Sequence, residues 1–285
     1  MDWIAEIGLN HNGQLELAKQ MVVEARRAGA TTAKFQTYRV EERVGPGSPL
    51  IDILTECQLS ETDWANLIHF CEEEGINFLT TVFGRKSLEL ALGLGLRKLK
   101  IASFSIGNLE LIGAALDANV DLIVSTGAST EIEVLAVSNE LRRHGGAHSL
   151  LHCISQYPID NESNLNLVNI QRLRETSGLT VGFSDHSRDD KAFFYATLCG
   201  AEILEKHFTT DQSLPGPDQR FSATPEVFAR AVSQSETALD ILGVPRALPY
   251  PSEMDILPFK VNMPRSRKGG ENPSNRSQAE KASQV

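Results

Sequence analysis

Cysteine is scarce and scattered. Cys57, Cys71, Cys153 and Cys199 are the four in the chain, and no two of them form a CxxC pair. Neither a zinc-binding cluster nor a disulfide framework is therefore expected, and a reducing cytoplasm is the expected setting. Long apolar runs are absent too: none reaches the roughly 18 residues that a membrane span needs. The chain starts Met1-Asp2-Trp3-Ile4, with no basic segment before the first apolar run, so the expectation is neither secretion nor membrane insertion. Positive charge is in deficit, with 27 Lys and Arg against 37 Asp and Glu and a formal net charge of −10. General nucleic-acid binding, which relies on basic surface to neutralise phosphates, is excluded on that ground, and an anionic substrate would have to meet a local basic cluster. Nucleotide loops are missing as well. Gly93-Leu-Gly95 lacks the strand before it and the helix after it that a dinucleotide fold or P-loop requires.

Aromatics supply only 6% of residues, but the apolar fraction of 41% is enough to fill a large aliphatic core. Short apolar runs alternate with longer amphipathic ones, the pattern of parallel strands joined by crossover helices. Eight strand and helix pairs can be counted. The strands are predicted at Trp3 to Leu9, Thr32 to Thr37, Asn77 to Val82, Lys98 to Ser103, Asp121 to Thr126, His148 to Cys153, Thr180 to Asp185 and Glu202 to Thr209. Eight repeats in 285 residues predict an α/β fold of the (β/α)8 TIM barrel type, with an open doubly wound sheet as the alternative that counting leaves standing. Thr130 and Glu133 form a capping-box pattern. The stretch from Tyr38 to Leu59, with Gly45-Pro46-Gly47 inside it, reads as a surface loop or lid. Residues 1–245 are expected to form the barrel, 246–264 a linker-like segment with a last apolar run at Leu257 to Val261, and 265–285 a disordered polar tail.

In such a barrel, functional side chains gather at the C-terminal ends of strands. Those ends carry Glu6, Lys34 and Gln36, Thr80 and Thr81, Lys100 and Ser103, then Ser125, His152 and Ser155. The last two add Ser184, Asp185 and His186, then Glu205, Lys206 and His207. Lys34 and Lys100 interrupt apolar strands, and a buried ammonium without a negative partner is costly. Two readings stand. Either the pair, with Ser103, Ser125 and Ser184, cradles a small phosphate or carboxylate, or each Lys is neutralised by a structural carboxylate such as Glu6 or Glu205. His186 and His207 close neighbouring strands, so they either share a divalent cation or are hydrogen-bonded core histidines. His69, His144 and His148 read as surface residues, and His11 either lines the site or caps the Asn10-His11-Asn12-Gly13 turn.

Several segments together resemble the N-acetylneuraminate (sialic acid) synthase family. They are Ile4-Ala-Glu6-Ile-Gly-Leu-Asn-His-Asn-Gly13, Ala33-Lys34-Phe-Gln36, Lys100-Ile-Ala-Ser103 and Val124-Ser125-Thr-Gly127. Leu151-His-Cys-Ile-Ser-Gln-Tyr157-Pro158, Gly182-Phe-Ser-Asp-His186, Glu205-Lys-His-Phe208 and Pro215-Gly-Pro-Asp218 complete the set, so the resemblance spans residues 3–243. It implies condensation of phosphoenolpyruvate with an aldehyde sugar such as N-acetylmannosamine, giving a nonulosonic acid and phosphate. It also implies that Lys34, Lys100, Ser103, Ser125 and Ser184 hold phosphoenolpyruvate, with Gln36, Thr81 and Ser155 beside them. His186 and His207 would bind manganese, or magnesium or cobalt in its place. Glu6 would orient the acceptor or activate water, and Tyr157 and Asp218 would contact the sugar.

The chain departs from the family pattern at Ser105, where the family has an acidic residue that helps to hold the acceptor. The connection after the second strand is shorter than usual. Pro251-Ser-Glu253 resembles the linker to the family's small antifreeze-like domain, but a polar tail follows it instead. A homo-oligomer or a separate capping partner is thus expected to complete the site. Two other functions stay open beside the synthase: an altered or inactive barrel that binds a sugar or a partner, and a metal-dependent lyase or epimerase.

Overall fold

A computed structural model describes residues 1–159 and 161–259, which divide into two units, Met1–Leu242 and a second that starts at Gly243. The first unit is a closed barrel of eight parallel strands in sequence order. These are β1 (Asp2–Gly8), β2 (Thr32–Thr37), β3 (Asn77–Val82), β4 (Lys98–Ile101), β5 (Asp121–Ser125), β6 (Ser149–Cys153), β7 (Thr180–Asp185) and β8 (Ile203–His207). Closure settles the choice between barrel and open sheet: β1 pairs with β8 from Asp2↔Ile203 to Glu6↔His207. Among the described residues of the second unit, Pro251–Phe259 is a 3-10 helix. The predicted polar tail at 265–285 and the end of the Leu257 to Val261 run lie outside the described residues. No helix among the described residues is long and apolar enough to cross a membrane.

Strand periodicity of two explains where the site comes from. Ile4, Leu79, Ile123, Leu151 and Ile203 point inward and form one buried apolar layer. Two residues further along each strand stand Glu6, Thr81, Ser125, Cys153 and Glu205, all lining one cavity above that layer. The sequence therefore builds an apolar floor and a polar layer by one alternation. The residues between point outward, which is why Asp185 and Lys206, also at strand ends, bond to each other at 2.5 Å instead of entering the cavity. His152 likewise turns away, its Nε2 lying 2.8 Å from Leu165 O.

Gly182 on β7 sits where the floor is narrowest. A Cβ there would stand 2.2 Å from the Ile203 carbonyl oxygen and 2.7 Å from Leu151 Cδ2. Because the nearest atom is backbone, β8 itself would have to move. Gly182→Ala is expected to lower stability by about 1–3 kcal/mol, as overpacking does, read from the urea midpoint. An unchanged midpoint would show that β8 is free to shift.

The connection after β2 differs from the predicted loop. It holds two short helices, Val40–Arg43 and Ile51–Glu56, around a small core of Leu9, Tyr38, Leu54, Cys57 and Phe83. Helices of four and six residues are too short to display a helical period, so the pattern looked irregular. Tyr38 Oη fastens the segment by donating to Leu54 O at 2.7 Å. The capping box at Thr130 is present, with Thr130 N donating to Glu133 Oε2 at 2.7 Å. His148 is buried, not at the surface. Its Nδ1 accepts from Leu122 N at 3.0 Å, standing in for a ladder partner just before β5 and β6 begin to pair at Ile123↔Ser149.

Candidate active site

A cavity of about 360 Å3 opens at the C-terminal end of the barrel. At its base, Lys34 Nζ lies 2.8 Å from Glu6 Oε2 and 3.4 Å from Glu205 Oε2. It also donates to Thr81 Oγ1 at 3.2 Å. Neither of those two carboxylate oxygens accepts an aligned hydrogen bond, so the lysine is shared between them by charge. Burial is the largest influence on all three groups. It raises the Glu6 pKa, against the opposing pull of Lys34. For Glu205 the burial penalty is outweighed by Lys100, Lys34 and the Ser184 hydroxyl, which together pull its carboxyl down to about 2. Ser184 Oγ donates to Glu205 Oε1 at 2.8 Å. At neutral pH Glu205 is the committed anion, whereas Glu6 holds a proton more readily.

Lys100 is different. It is only 2% exposed, and its Nζ donates to Ser125 Oγ at 2.5 Å and to Ile101 O at 3.2 Å, with no ion pair among the described residues. Burial accordingly depresses its pKa, despite the upward pull of Glu205. The two lysines thus differ: Lys34 is neutralised by Glu6 and Glu205, whereas Lys100 has no carboxylate within ion-pair distance among the described residues. Ser125 and, nearby, Ser103, hydrogen-bonded to Ser155 at 3.0 Å, supply hydroxyls beside it.

On the opposite wall, the rings of His186 and His207 have centroids 5.6 Å apart. His186 Nδ1 lies 2.7 Å from Ile154 O. A carbonyl only accepts, so Nδ1 carries the proton and Nε2 keeps its lone pair. His207 Nδ1 is buried without a hydrogen-bond partner, 3.9 Å from Asp218 Oδ2. Burial holds both imidazoles neutral, and His186 and Lys34 push His207 further below the ordinary histidine value. Two neutral imidazoles, one with an orphaned nitrogen, suit a divalent ion whose other positions are filled by water or substrate. Among the described residues no group of three or more His, Cys, Asp or Glu could hold a metal by itself.

The mouth is aromatic. Tyr157 stands 4.1 Å from His186 between ring centroids, and Phe221 5.2 Å from His207. Phe83 stacks on the exposed Phe104 at 5.9 Å. Asp218, in the turn after β8, has its carboxyl raised to about 6 by burial, with Arg43 and Lys34 pulling it back. That turn is sewn to the one after β1. Gln219 Nε2 donates to Asn10 O, and Asn10 Nδ2 to Ser222 Oγ, both at 2.8 Å. His11 caps its own turn, its Nδ1 accepting from Gly13 N at 3.1 Å, and does not line the cavity. At the end of β1, Gly8 takes φ +56, and a side chain there would crowd Gln36 Nε2 and Glu6 Oε1 at 3.0 and 3.1 Å.

Of the residues expected at the site, Glu6, Lys34, Gln36, Thr81, Lys100, Ser103, Ser125, Tyr157, Ser184, His186, His207 and Asp218 line the cavity. Ser155 reaches it only through Ser103, and Ser105 is absent from the lining. The 3-10 turn Ser103–Ser105 presents Phe104 to the mouth instead. Missed from the sequence were Arg43, Phe83, Phe104, Phe221 and Cys153, whereas Glu205 is the carboxylate that the sequence offers as a partner for a strand lysine. Cys153 was within reach, since it lies two residues beyond an inward-facing apolar residue.

A model of the NeuB family matches residues 21–246. The chain is 35% identical over 272 residues to the N,N'-diacetyllegionaminic acid synthase of Legionella pneumophila, covering 89% of this chain and 76% of that one. It is 30% identical to the pseudaminic acid synthase of Helicobacter pylori, covering 83% and 74% respectively. Among solved structures, the N-acetylneuraminic acid (sialic acid) synthetase of Leptospira borgpetersenii, in complex with citrate, superposes with a TM-score of 0.86. It has 35% identity and covers 90% of both chains.

Proposed function

Because the chain belongs to the NeuB family, we propose that it condenses phosphoenolpyruvate with an aldehyde sugar, N-acetylmannosamine or a related aldose, to give a nonulosonic acid and phosphate. The observation that carries this reading is Lys100: a buried ammonium with hydroxyl neighbours and no carboxylate within ion-pair distance among the described residues, in a cavity large enough for two small substrates. Phosphoenolpyruvate supplies the missing negative charge. Lys100, Ser103, Ser125 and Ser184 hold its phosphate and carboxylate, and Lys34 fixes the flanking carboxylates Glu6 and Glu205.

The enol carbon attacks the sugar aldehyde carbon; the new C–C bond forms as the C=O π bond breaks, the aldehyde oxygen takes up a proton from solvent and becomes a hydroxyl, and an oxocarbenium-like carbon is left that still carries the phosphate ester. Water adds to that carbon and passes a proton to Glu6. Burial suits Glu6 to this, because it raises the carboxylate's proton affinity. The C–O bond to phosphate then breaks as the added hydroxyl gives up its proton and becomes the keto group. Tyr157 and Asp218 orient the acceptor at the mouth. His186 and His207 are the residues that would hold manganese, magnesium or cobalt, and such an ion supplies Lewis acidity toward the aldehyde oxygen.

Incubation with phosphoenolpyruvate, manganese and a panel of aldoses should release phosphate only when an aldose is present, with a product of the mass of the condensed acid. No aldose-dependent release would overturn the reading. Manganese binding, followed by calorimetry without substrates, should disappear in His207→Ala; undiminished binding would remove the metal from this pair of histidines.

A further inference from the structure

A second cavity, of about 240 Å3, lies where the ends of β5 and β6 meet the helices Glu131–His144 and Val168–Ser177. Val134, Leu135, Ile154 and Leu173 give it an apolar wall. Its polar groups are mostly spent on the protein itself. Thr126 Oγ1 donates to Leu151 O at 3.1 Å, Thr176 Oγ1 to Arg172 O at 2.9 Å, and Arg172 Nη2 to Glu131 Oε1 at 2.7 Å. His152 is the exception. It is only 4% exposed and, having turned away from the first cavity, borders this one. Its Nε2 faces the Leu165 carbonyl, which only accepts, so Nε2 carries the proton. Burial keeps the ring neutral. Nδ1 is left with a lone pair and no donor to it among the described residues, and a buried acceptor without a donor is costly.

These groups define an occupant. The volume equals that of roughly eight waters, room for one substituted ring. A neutral imidazole beside an ion pair that is already closed gives an ionic ligand nothing to gain, whereas the Nδ1 lone pair rewards a donor. The cavity is also tied to the active site by the turn after β5. Ser125, at its start, accepts from Lys100 in the first cavity, while Thr126, Ala128 and Ser129 line the second. Ala128 takes φ +55, a conformation costly for any residue with a side chain. Gly127 is packed so closely that a Cβ on it would collide with Ser155 Oγ and Cys153 Sγ, and Ser155 bonds to Ser103 at 3.0 Å. A turn held this tightly cannot yield on one side without moving hydroxyls on the other. We propose that this second cavity binds a small neutral ring compound that donates an O–H or N–H to His152 Nδ1, and that its occupancy changes the affinity of the first cavity for phosphoenolpyruvate. The coupling rests on the condensation reading; the binding does not.

Phenol and toluene, of equal size, differ in the donor and serve as probes of the full chain by ligand-observed NMR. Toluene is the more hydrophobic, so a merely apolar cavity would favour it. Phenol should instead bind about 3- to 10-fold more tightly. His152→Gln, whose amide can still donate to Leu165 O but places no acceptor at Nδ1, should weaken phenol about 10-fold and leave toluene within about twofold. Leu135→Trp, at a rim position already 36% exposed, should fill the cavity and abolish binding of both. Saturating phosphoenolpyruvate should shift the phenol Kd by about threefold or more, and phenol should shift the phosphoenolpyruvate Kd by the same factor. Absence of phenol binding, tighter binding of toluene, or phenol binding undiminished in Leu135→Trp would overturn the site. Kd values indifferent to the other ligand would overturn the coupling. If phosphoenolpyruvate itself did not bind, the condensation reading would fall, while preference for phenol, lost in His152→Gln, would still uphold the site.

Discussion

Lys100→Met is expected to abolish most turnover while leaving the barrel close to its original stability, since relief of the buried charge offsets the loss of its pull on Glu205. Lys100 is a buried charge whose partners are one hydroxyl and one carbonyl, and burial is the main reason that its pKa is depressed. Met fills a similar volume without that penalty. Replacing buried charge by apolar groups of like size is often neutral or stabilising, by about 1–4 kcal/mol. The pH dependence has a definite sign. A lysine whose folded pKa lies below its unfolded value binds fewer protons folded than unfolded, so it contributes stability that grows as pH rises toward the ordinary lysine value. That rise should be present in wild type and missing in the variant. Activity should move the other way, by roughly 100- to 1000-fold in kcat/KM for phosphoenolpyruvate, the scale on which single electrostatic donors act. Steady-state kinetics and urea midpoints read both effects. Undiminished kcat/KM for phosphoenolpyruvate would take away the basis of the anion pocket.

That contrast between stability and activity also shows how far the site was legible in the sequence. The barrel followed from eight alternating segments, and the polar layer followed from period two: Ile4 with Glu6, Leu79 with Thr81, Ile123 with Ser125 and Ile203 with Glu205. What periodicity does not carry is pairing. Two lysines in similar apolar strands looked alike, but Lys34 has Glu6 of the neighbouring β1 and Glu205 of β8, one strand further round, within ion-pair distance, whereas Lys100 faces Thr81 on β3 and Ile123 on β5. Contacts from short irregular segments were hidden for another reason. The four-residue helix ending at Arg43 has no face to read, and one 3-10 turn decided that Phe104, not Ser105, reaches the mouth. His148 shows the same limit, since a histidine at a strand start can replace a ladder partner that only the neighbouring strand defines.

Lys34→Met should lower stability. Removing the shared ammonium leaves Glu6 and Glu205 facing one another with no cation between them, and breaking a buried pair from one side costs about 3–5 kcal/mol. The pH dependence of stability should change as well. In wild type the Glu205 carboxyl is pulled from an ordinary 4.5 to about 2, so its stabilisation is complete above 4.5 and is lost as pH falls toward 2. Glu6, raised by burial, works in the other sense: its contribution is present below its ordinary value and is lost as pH rises through its folded pKa. The two carboxyls therefore favour opposite ends, and together they place an optimum between their windows. Without Lys34, Glu205 keeps Lys100, the largest pull against its burial, and the Ser184 hydrogen bond, whereas Glu6 loses its main opposing pull and holds a proton more firmly. Urea midpoints of Lys34→Met should then rise more steeply than those of wild type as pH is lowered toward 4.5. Lys34→Arg, which keeps the cation, should retain the wild-type course. No steeper rise in Lys34→Met would show that Lys34 does not oppose the burial of Glu6.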